Sequence, residues 1–281
     1  MGPMINPFKK LIPARFRKKI PIIHVLRLEG AIAADRAFGG KALNAKGLEQ
    51  LLQKAFKKGI AGVVLAINCP GGSPVQSAMI ANRIRALAAE MEVPVYAFCE
   101  DVAASGGYWL ACAADEIYAD ENSIIGSIGV IAGGFGFPKT IAKLGIERRV
   151  HTSGTSKSTN DPFMPEKAAD VAKLQAMLSD MHETFKSLVR NRRGGKLKES
   201  KELFSGAYWT GRKALSMGLI DGLGHMHTVL RAKFGDKVEI KDISAPKGWG
   251  LKRLGFSAAT ELPEAALNAI ETRALWQRFG L

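Results

Sequence analysis

An α/β fold with a largely parallel sheet is predicted for this chain by three features. Apolar runs of strand length recur, helix-period segments lie between them, and glycine-rich turns close several of the runs. The clearest run is Val63-Val64-Leu65-Ala66-Ile67. A strand covered by helices on both faces is apolar throughout rather than alternating, as strands of parallel sheets are. Strand and helix alternate through the middle of the chain, and parallel neighbours need such crossover connections. There is no internal repeat at a fixed period.

The elements follow in order. Residues 1–19 carry Lys9, Lys10, Arg15, Arg17, Lys18 and Lys19 and no acidic residue. Ile5, Phe8, Ile12 and Phe16 recur at helical spacing there, interrupted by Pro3, Pro7 and Pro13. Two readings stay open: a segment lying on an anionic membrane surface, or a basic tail over a folded body. Ile22 to Leu28 reads as the first strand, ended by Gly30, and Leu48 to Lys58 as a helix stopped at Gly59. The strand Gly62 to Asn68 runs into a Pro-Gly-Gly-Ser turn, then a long helix from Val75 to Met91. Strands are expected at Pro94–Cys99, Glu116–Ala119, Ser127–Ile131 and Glu147–His151, with helices at Ala103–Ala114 and Pro138–Leu144. Helices follow at Pro165–Arg190, Glu199–Leu203, Gly211–Met217 and Met226–Phe234. Val238–Ile243 reads as a strand, and Leu262–Arg278 as an amphipathic terminal helix.

Composition bounds the function. The 281 residues are 47% apolar and 23% charged, enough for a sizeable core. The net charge of +14 favours anionic partners. The three cysteines, Cys69, Cys99 and Cys112, are odd in number and form no CxxC, so they read as small buried hydrophobes rather than a disulfide framework or zinc site. No apolar stretch reaches the length of a membrane span, and the basic N-terminus lacks the apolar core of a signal peptide. A cytoplasmic protein, peripheral at the inner membrane, is the expectation.

Three clusters carry chemistry: Asn68-Cys69-Pro70-Gly71-Gly72-Ser73, Ala103-Ala104-Ser105-Gly106-Gly107-Tyr108, and Ser153-Gly154-Thr155-Ser156-Lys157, each after a strand. Glycines there let the backbone bend and approach a ligand closely, and ligands of open α/β sheets bind beyond the carboxyl ends of the strands. Two such turns side by side supply N–H donors for one carbonyl oxygen, as an oxyanion hole requires. Ser105, with small neighbours at a helix start, is the candidate nucleophile. Serine needs a base; a lysine serves only when uncharged, which desolvation favours. Lys157 is the candidate base, and Ser127, in Gly126-Ser127-Ile128-Gly129, the group that holds it. Each residue alone is unremarkable; their combination in this order is not.

With these residues in hand, the chain resembles the signal peptide peptidase A (SppA)/SohB family of protease IV-like serine peptidases. The resemblance rests on residues 68–73, Val102 to Tyr108, Gly126 to Val130, Gly154 to Lys157 with Pro162-Phe163, Gly206 to Gly211, and Ala214 to Gly222. It covers residues 20–235, and the spacing of Ser105 and Lys157 matches the short, single-repeat members. It implies a ClpP/crotonase-like superhelix with a mainly parallel sheet and a helical C-terminal part. It implies a Ser105/Lys157 dyad, with Ser127 bonded to the lysine and the N–H groups of Gly72 and Gly106 as oxyanion hole. Gly71, Ser73 and Gly107 are expected beside the substrate. Members act on signal-peptide remnants and other hydrophobic peptides and assemble into rings or domes, so a homo-oligomer is expected. The organisation is then a basic segment at 1–19, a peptidase domain at 20–235 and a C-terminal extension at 236–281. Many members carry an N-terminal membrane helix, which this chain does not show.

Other motifs are weaker. His225-Met226-His227 lacks a convincing partner, so no metal and no cofactor is expected. The run Gly133-Gly134-Phe135-Gly136-Phe137 matches no phosphate-binding pattern and reads as a loop. The basic stretch Arg190, Arg192, Arg193, Lys196, Lys198 and Lys201 lacks interleaved aromatics and reads as a solvated face, so nucleic acid is not an expected partner. Asp161, near Lys157 in sequence, reads as a loop residue; the alternative is a group that tunes or covers Lys157. Two alternatives to a peptidase remain: a crotonase-like acyl-CoA enzyme, and a non-catalytic membrane-associated scaffold of the same fold.

Overall fold

The structure, a computed structural model, describes residues 20–34, 42–154, 156–244 and 273–281. The basic segment 1–19 and most of the helix expected at Leu262–Arg278 lie outside the described residues.

One sheet contains β1 (Ile22–Glu29), β2 (Gly62–Cys69), β3 (Val95–Ala104), β4 (Glu116–Ala119), β5 (Ile124–Gly126), β6 (Tyr208–Thr210), β7 (Gly222–Leu223) and β8 (Glu239–Asp242). The order is β6-β5-β3-β2-β1-β8; β4 also pairs with β3, and β7 with β4. Only β5–β6 is antiparallel among these pairings. The helices are α1 (Ala45–Ala55), α2 (Pro74–Met91), α3 (Gly106–Ala111), α4 (Pro138–Lys143), α5 (Ala168–Arg193), α6 (Gly211–Ser216) and α7 (Met226–Phe234).

The uniform apolarity of β2 has the expected cause. Val63, Leu65 and Ile67 join the main core with Leu28, Ile80, Ile84 and Leu110. Val64 and Ala66 face the opposite layer with Ile23, Val25, Phe98 and Leu230. Burying each large side chain contributes roughly 1.5–3 kcal/mol, and a polar residue anywhere from Val63 to Ile67 would face apolar neighbours. The chain after residue 235 adds an edge strand, because β8 pairs in parallel with β1. Near the other end of the sheet, Phe279 packs on Val102 and Ala104, and the Tyr208 hydroxyl donates to the Arg278 carbonyl at 3.2 Å.

Several expected elements differ. The helix expected from Ala103 begins only at Gly106, because β3 runs to Ala104 and Ser105 breaks the backbone at φ 53°. The strand expected at Ser127–Ile131 ends at Gly126, where φ values of 111° at Gly126 and 53° at Ser127 turn the chain out of the sheet. No strand forms at Glu147–His151: this exposed segment pairs with no sheet edge. Glu199–Leu203 is a set of turns rather than a helix.

The basic stretch is only partly a solvated face. The Arg192 guanidinium donates to the carbonyls of Cys112 and Ala114, both at 2.8 Å. Arg193 is 3% exposed; it donates to the Gly218 carbonyl at 3.0 Å and to Asp221 at 2.7 and 3.2 Å. The last turn of α5 thereby clasps the end of α3, and Tyr108 of α3 donates to the Leu219 carbonyl at 2.7 Å. All three cysteines are free and buried. Burial pushes the Cys69 and Cys112 thiols up to about 12, and Cys99 higher still, so none is a nucleophile near neutral pH.

Candidate active site

The carboxyl ends of β2, β3 and β5 meet at one place. β3 pairs with β5 through Ala103 opposite Ile125 and Ala104 opposite Gly126, so Ser105 and Ser127 are the next residues of two adjacent strands. The Ser105 N–H donates to the Gly126 carbonyl at 2.8 Å, and the Ser105 carbonyl accepts the Trp109 N–H at 3.0 Å. These bonds hold Ser105 at φ 53°, ψ −121°, a conformation that side-chain-bearing residues avoid. Ser105 is partly exposed and Ser127 buried; the Ser127 N–H donates to the Ala207 carbonyl at 2.7 Å.

The Pro-Gly-Gly turn lies against this serine. Ile32 donates its N–H to the Gly71 carbonyl and accepts the Ser73 N–H, both at 2.8 Å. In such a parallel bridge, centred on Gly72, the N–H of Gly72 itself points away from Ile32. A Cβ on Gly72 would lie 2.0 Å from the Ile32 carbonyl oxygen, so only glycine fits there. A Cβ on Gly106 would lie 3.3 Å from the Gly72 nitrogen, which sets the two glycines side by side. As the first residue of α3, Gly106 has an N–H without an i−4 partner inside the helix.

The other turn residues have definite places. The Ser73 side chain caps α2, accepting the Gln76 N–H at 3.4 Å, with Pro74 in the first turn. Gly107 is buried against β2, where a Cβ would meet the Cys69 carbonyl oxygen at 2.3 Å. Ile32 and Ser77, which the sequence reading did not single out, wall the site: a Cβ on Gly106 would meet the Ser77 Oγ at 2.5 Å and the Ile32 Cδ1 at 3.1 Å.

Lys157 is not brought to the serines within the single chain. It is exposed in a turn and makes no hydrogen bond to Ser105 or Ser127. It belongs to an arm, residues 129–167, that leaves the sheet after Ser127 and contains α4. Asp161 pairs with Arg148 at 3.1 Å and accepts the Phe163 N–H at 3.0 Å, so it braces the arm and does not touch Lys157. The Phe137 N–H donates to the Pro162 carbonyl at 2.6 Å, and Phe137 and Phe163 pack with ring centres 5.8 Å apart. A cavity of about 570 Å³ between the arm and the start of α5 is lined by Phe135, Val150, Met164 and Leu174 and does not include Ser105. On this arm Ile131, Phe135, Leu144 and Ile146 are 55–77% exposed. Among the described residues, no three His, Cys, Asp or Glu side chains are grouped to hold a metal.

This architecture, a mainly parallel sheet with glycine turns and a serine at the strand ends, is of the ClpP-like α/β class. A serine-to-alanine mutant of the membrane-bound stomatin-specific protease 1510-N superposes with a TM-score of 0.50 at 13% identity, covering 81% of this chain and all of that one, a likeness of fold alone. Residues 88–239 match the model of peptidase family S49. Protein slr0021 of Synechocystis, provisionally named a protease, is 32% identical over 99% of this chain and 96% of its own length. A Brucella melitensis protein named Na(+)/H(+) antiporter NhaA is 47% identical over 97% of this chain. The chain spans only 39% of that relative. The chain belongs to peptidase family S49, the SppA/SohB family. No described helix is long and apolar enough to cross a membrane.

Proposed function

We propose that the chain is an endopeptidase working through a Ser105/Lys157 dyad on hydrophobic peptides such as signal-peptide remnants and membrane-protein fragments. The observation that carries this reading is Ser105 itself, fixed at positive φ between the Gly71-Gly72 turn and Ser127. Strained backbone of this kind persists where surrounding structure over-determines it, and it clusters at functional sites. The Ser105 Oγ attacks the scissile carbonyl as Lys157 takes its proton. The N–H groups of Gly72 and Gly106 hold the oxyanion. Collapse expels the amine, which leaves with the proton from Lys157, and an ester remains on Ser105. Water, deprotonated by the same lysine, hydrolyses the ester. Ser127 orients the lysine.

The dyad needs Lys157 removed from water, because only the uncharged amine is a base. In the single chain it is exposed, on the arm that also carries the exposed Ile131, Phe135, Leu144 and Ile146. Packing of the arm against another copy in a ring or dome covers both, so the active form is a homo-oligomer. The +14 charge suits a cytoplasmic protein peripheral at an anionic inner-membrane surface. The test is labelling with a fluorophosphonate, parent beside Ser105→Ala and Lys157→Ala, with the adduct mapped by mass spectrometry. Labelling at Ser105 that needs Lys157 is the expected result. Folded, assembled parent that binds coenzyme A and leaves Ser105 unlabelled would transfer the assignment to a crotonase-like acyl-CoA enzyme.

A further inference from the structure

The pairing of β2 with β3 changes register once, immediately before the site. Val63 to Ile67 stand opposite Val95 to Cys99, but Cys69 stands opposite Ala103. One residue of β2, Asn68, therefore faces three of β3: Glu100, Asp101 and Val102. With strands rising about 3.3 Å per residue, the two extra residues shorten the reach of β3 past β2 by about 6–7 Å. Paired in unbroken register, β3 would carry Ser105 past the Gly71-Gly72 turn by that distance. With the two extra residues it comes level, so close that a Cβ on Gly71 would touch the Ser105 Cβ. β3 also changes neighbour here, pairing with β4 up to Cys99 and with β5 from Val102. Bulges beside active sites commonly re-aim a strand in this way.

A bulge leaves backbone groups without ladder partners, and Val102 is fully buried. The Asn68 side chain meets this need. Its Oδ1 accepts the Val102 N–H at 3.3 Å, and its Nδ2 donates to the Asp101 carboxylate at 2.7 Å. The first bond requires an acceptor and the second a donor, so one amide holds two adjacent residues of the bulge, Asp101 and Val102. The Asn68 carbonyl also accepts the Gly30 N–H at 3.0 Å, and Arg27 holds the third bulge residue, Glu100, at 3.0 Å.

We infer that Asn68 is a positioning residue of the peptidase site: its amide staples the bulge that sets the Ser105 Oγ level with the two oxyanion donors. The inference rests on the assignment of Ser105 as nucleophile, and its test separates the two. The full chain is labelled with a fluorophosphonate at increasing concentration, which gives a maximal rate and a half-saturating concentration, and thermal melting is followed in parallel. Displacing reacting groups by about 1 Å costs on the order of 100-fold. Asn68→Asp keeps the acceptor for Val102 but sets two carboxylates together, and its maximal rate is expected to fall about 30- to 100-fold. The half-saturating concentration should stay within about threefold, because the probe still meets the same walls. Asn68→Ser, neutral and too short to reach both partners, should fall similarly while melting near the parent. The swap Asn68→Asp with Asp101→Asn restores one acceptor and one donor with their polarity exchanged, and should recover the parent rate to within about threefold. A swap that melts like the parent but stays slow, or single variants that keep the parent rate, overturn the inference while leaving Ser105 labelled. A folded, assembled parent that does not label at Ser105 overturns the nucleophile assignment and this inference with it.

Discussion

Gly71 and Ser105 lie in contact at the ends of β2 and β3. A Cβ on Gly71 would fall 2.7 Å from the Ser105 Cβ and 2.9 Å from the Gly106 nitrogen. Gly71 also has φ 108°, where a side chain is strained whatever the space. Gly71→Ala therefore cannot be absorbed by a side-chain rotation and must push the backbone of Ser105 and Gly106. The expected result is an approximately 100-fold slower fluorophosphonate reaction. Gly195→Ala, with nothing within 4 Å, serves as control and should react like the parent. Equal rates for both variants would mean that the contact has no bearing on the reactivity of Ser105.

The strain at Ser105 is measurable separately from its chemistry. A residue with a Cβ at φ 53°, ψ −121° costs on the order of 1–3 kcal/mol. Glycine relieves this, at about 0.5–1 kcal/mol of unfolded-state entropy. Both Ser105→Gly and Ser105→Ala should be inactive, with the glycine variant more stable than the alanine variant by about 1 kcal/mol. Urea denaturation of the two gives the difference directly, and an alanine variant of equal or greater stability would remove the claim of strain.

The central fold was legible because its signals are local. The run at Val63–Ile67 is apolar because both faces of β2 are covered, and that pattern survives without knowledge of partners. The glycines at 71 and 72 announce a tight turn by residue type alone. What misled was the same kind of signal read without its partners. Ser127–Ile131 has strand composition, but Gly126 and Ser127 adopt positive φ and leave the sheet. Arg192 and Arg193 look like part of a solvated run; their burial depends on carbonyls some 25 to 80 residues away in sequence. The bulge at Glu100–Val102 has no composition signal of its own. It appears only when the register of β2 against β3 is counted, which is why Asn68 reads in the sequence as just the first residue of a turn motif.

The arm offers a test of assembly. Phe135 is 77% exposed and Leu144 69%, on the segment that carries Lys157. Single substitutions Phe135→Glu and Leu144→Glu place a charge where a neighbour's apolar surface should pack, without touching the core of the chain. Light scattering should show a smaller particle, and on the proposed mechanism labelling of Ser105 should fall with it, because Lys157, the proposed base, is then left in water. A variant that dissociates yet labels at the parent rate would show that the base works without assembly.

The Arg193–Asp221 pair ties the end of α5 to the chain just before β7, and it makes stability depend on acid. Burial raises the carboxyl of Asp221, but hydrogen bonds from Arg193, Lys196 and the Ile117 N–H outweigh it and hold the group below its ordinary value. A carboxyl depressed in the folded state stabilises at all pH values above its unfolded value and loses that contribution as pH falls through the folded one. With an unfolded value near 3.9, the loss should appear below about pH 4. Asp221→Asn should therefore be less stable than the parent at pH 7, and the gap should narrow as pH falls below about 4. Arg193→Met leaves Asp221 with its side chain only 14% exposed and without its buried partner, which should cost about 3 kcal/mol at pH 7. Urea midpoints for the three proteins at neutral and acid pH decide the matter. A parent and Asp221→Asn that differ by the same amount at every pH would show that the carboxylate's charge contributes nothing, and that the site's support from α5 is packing alone.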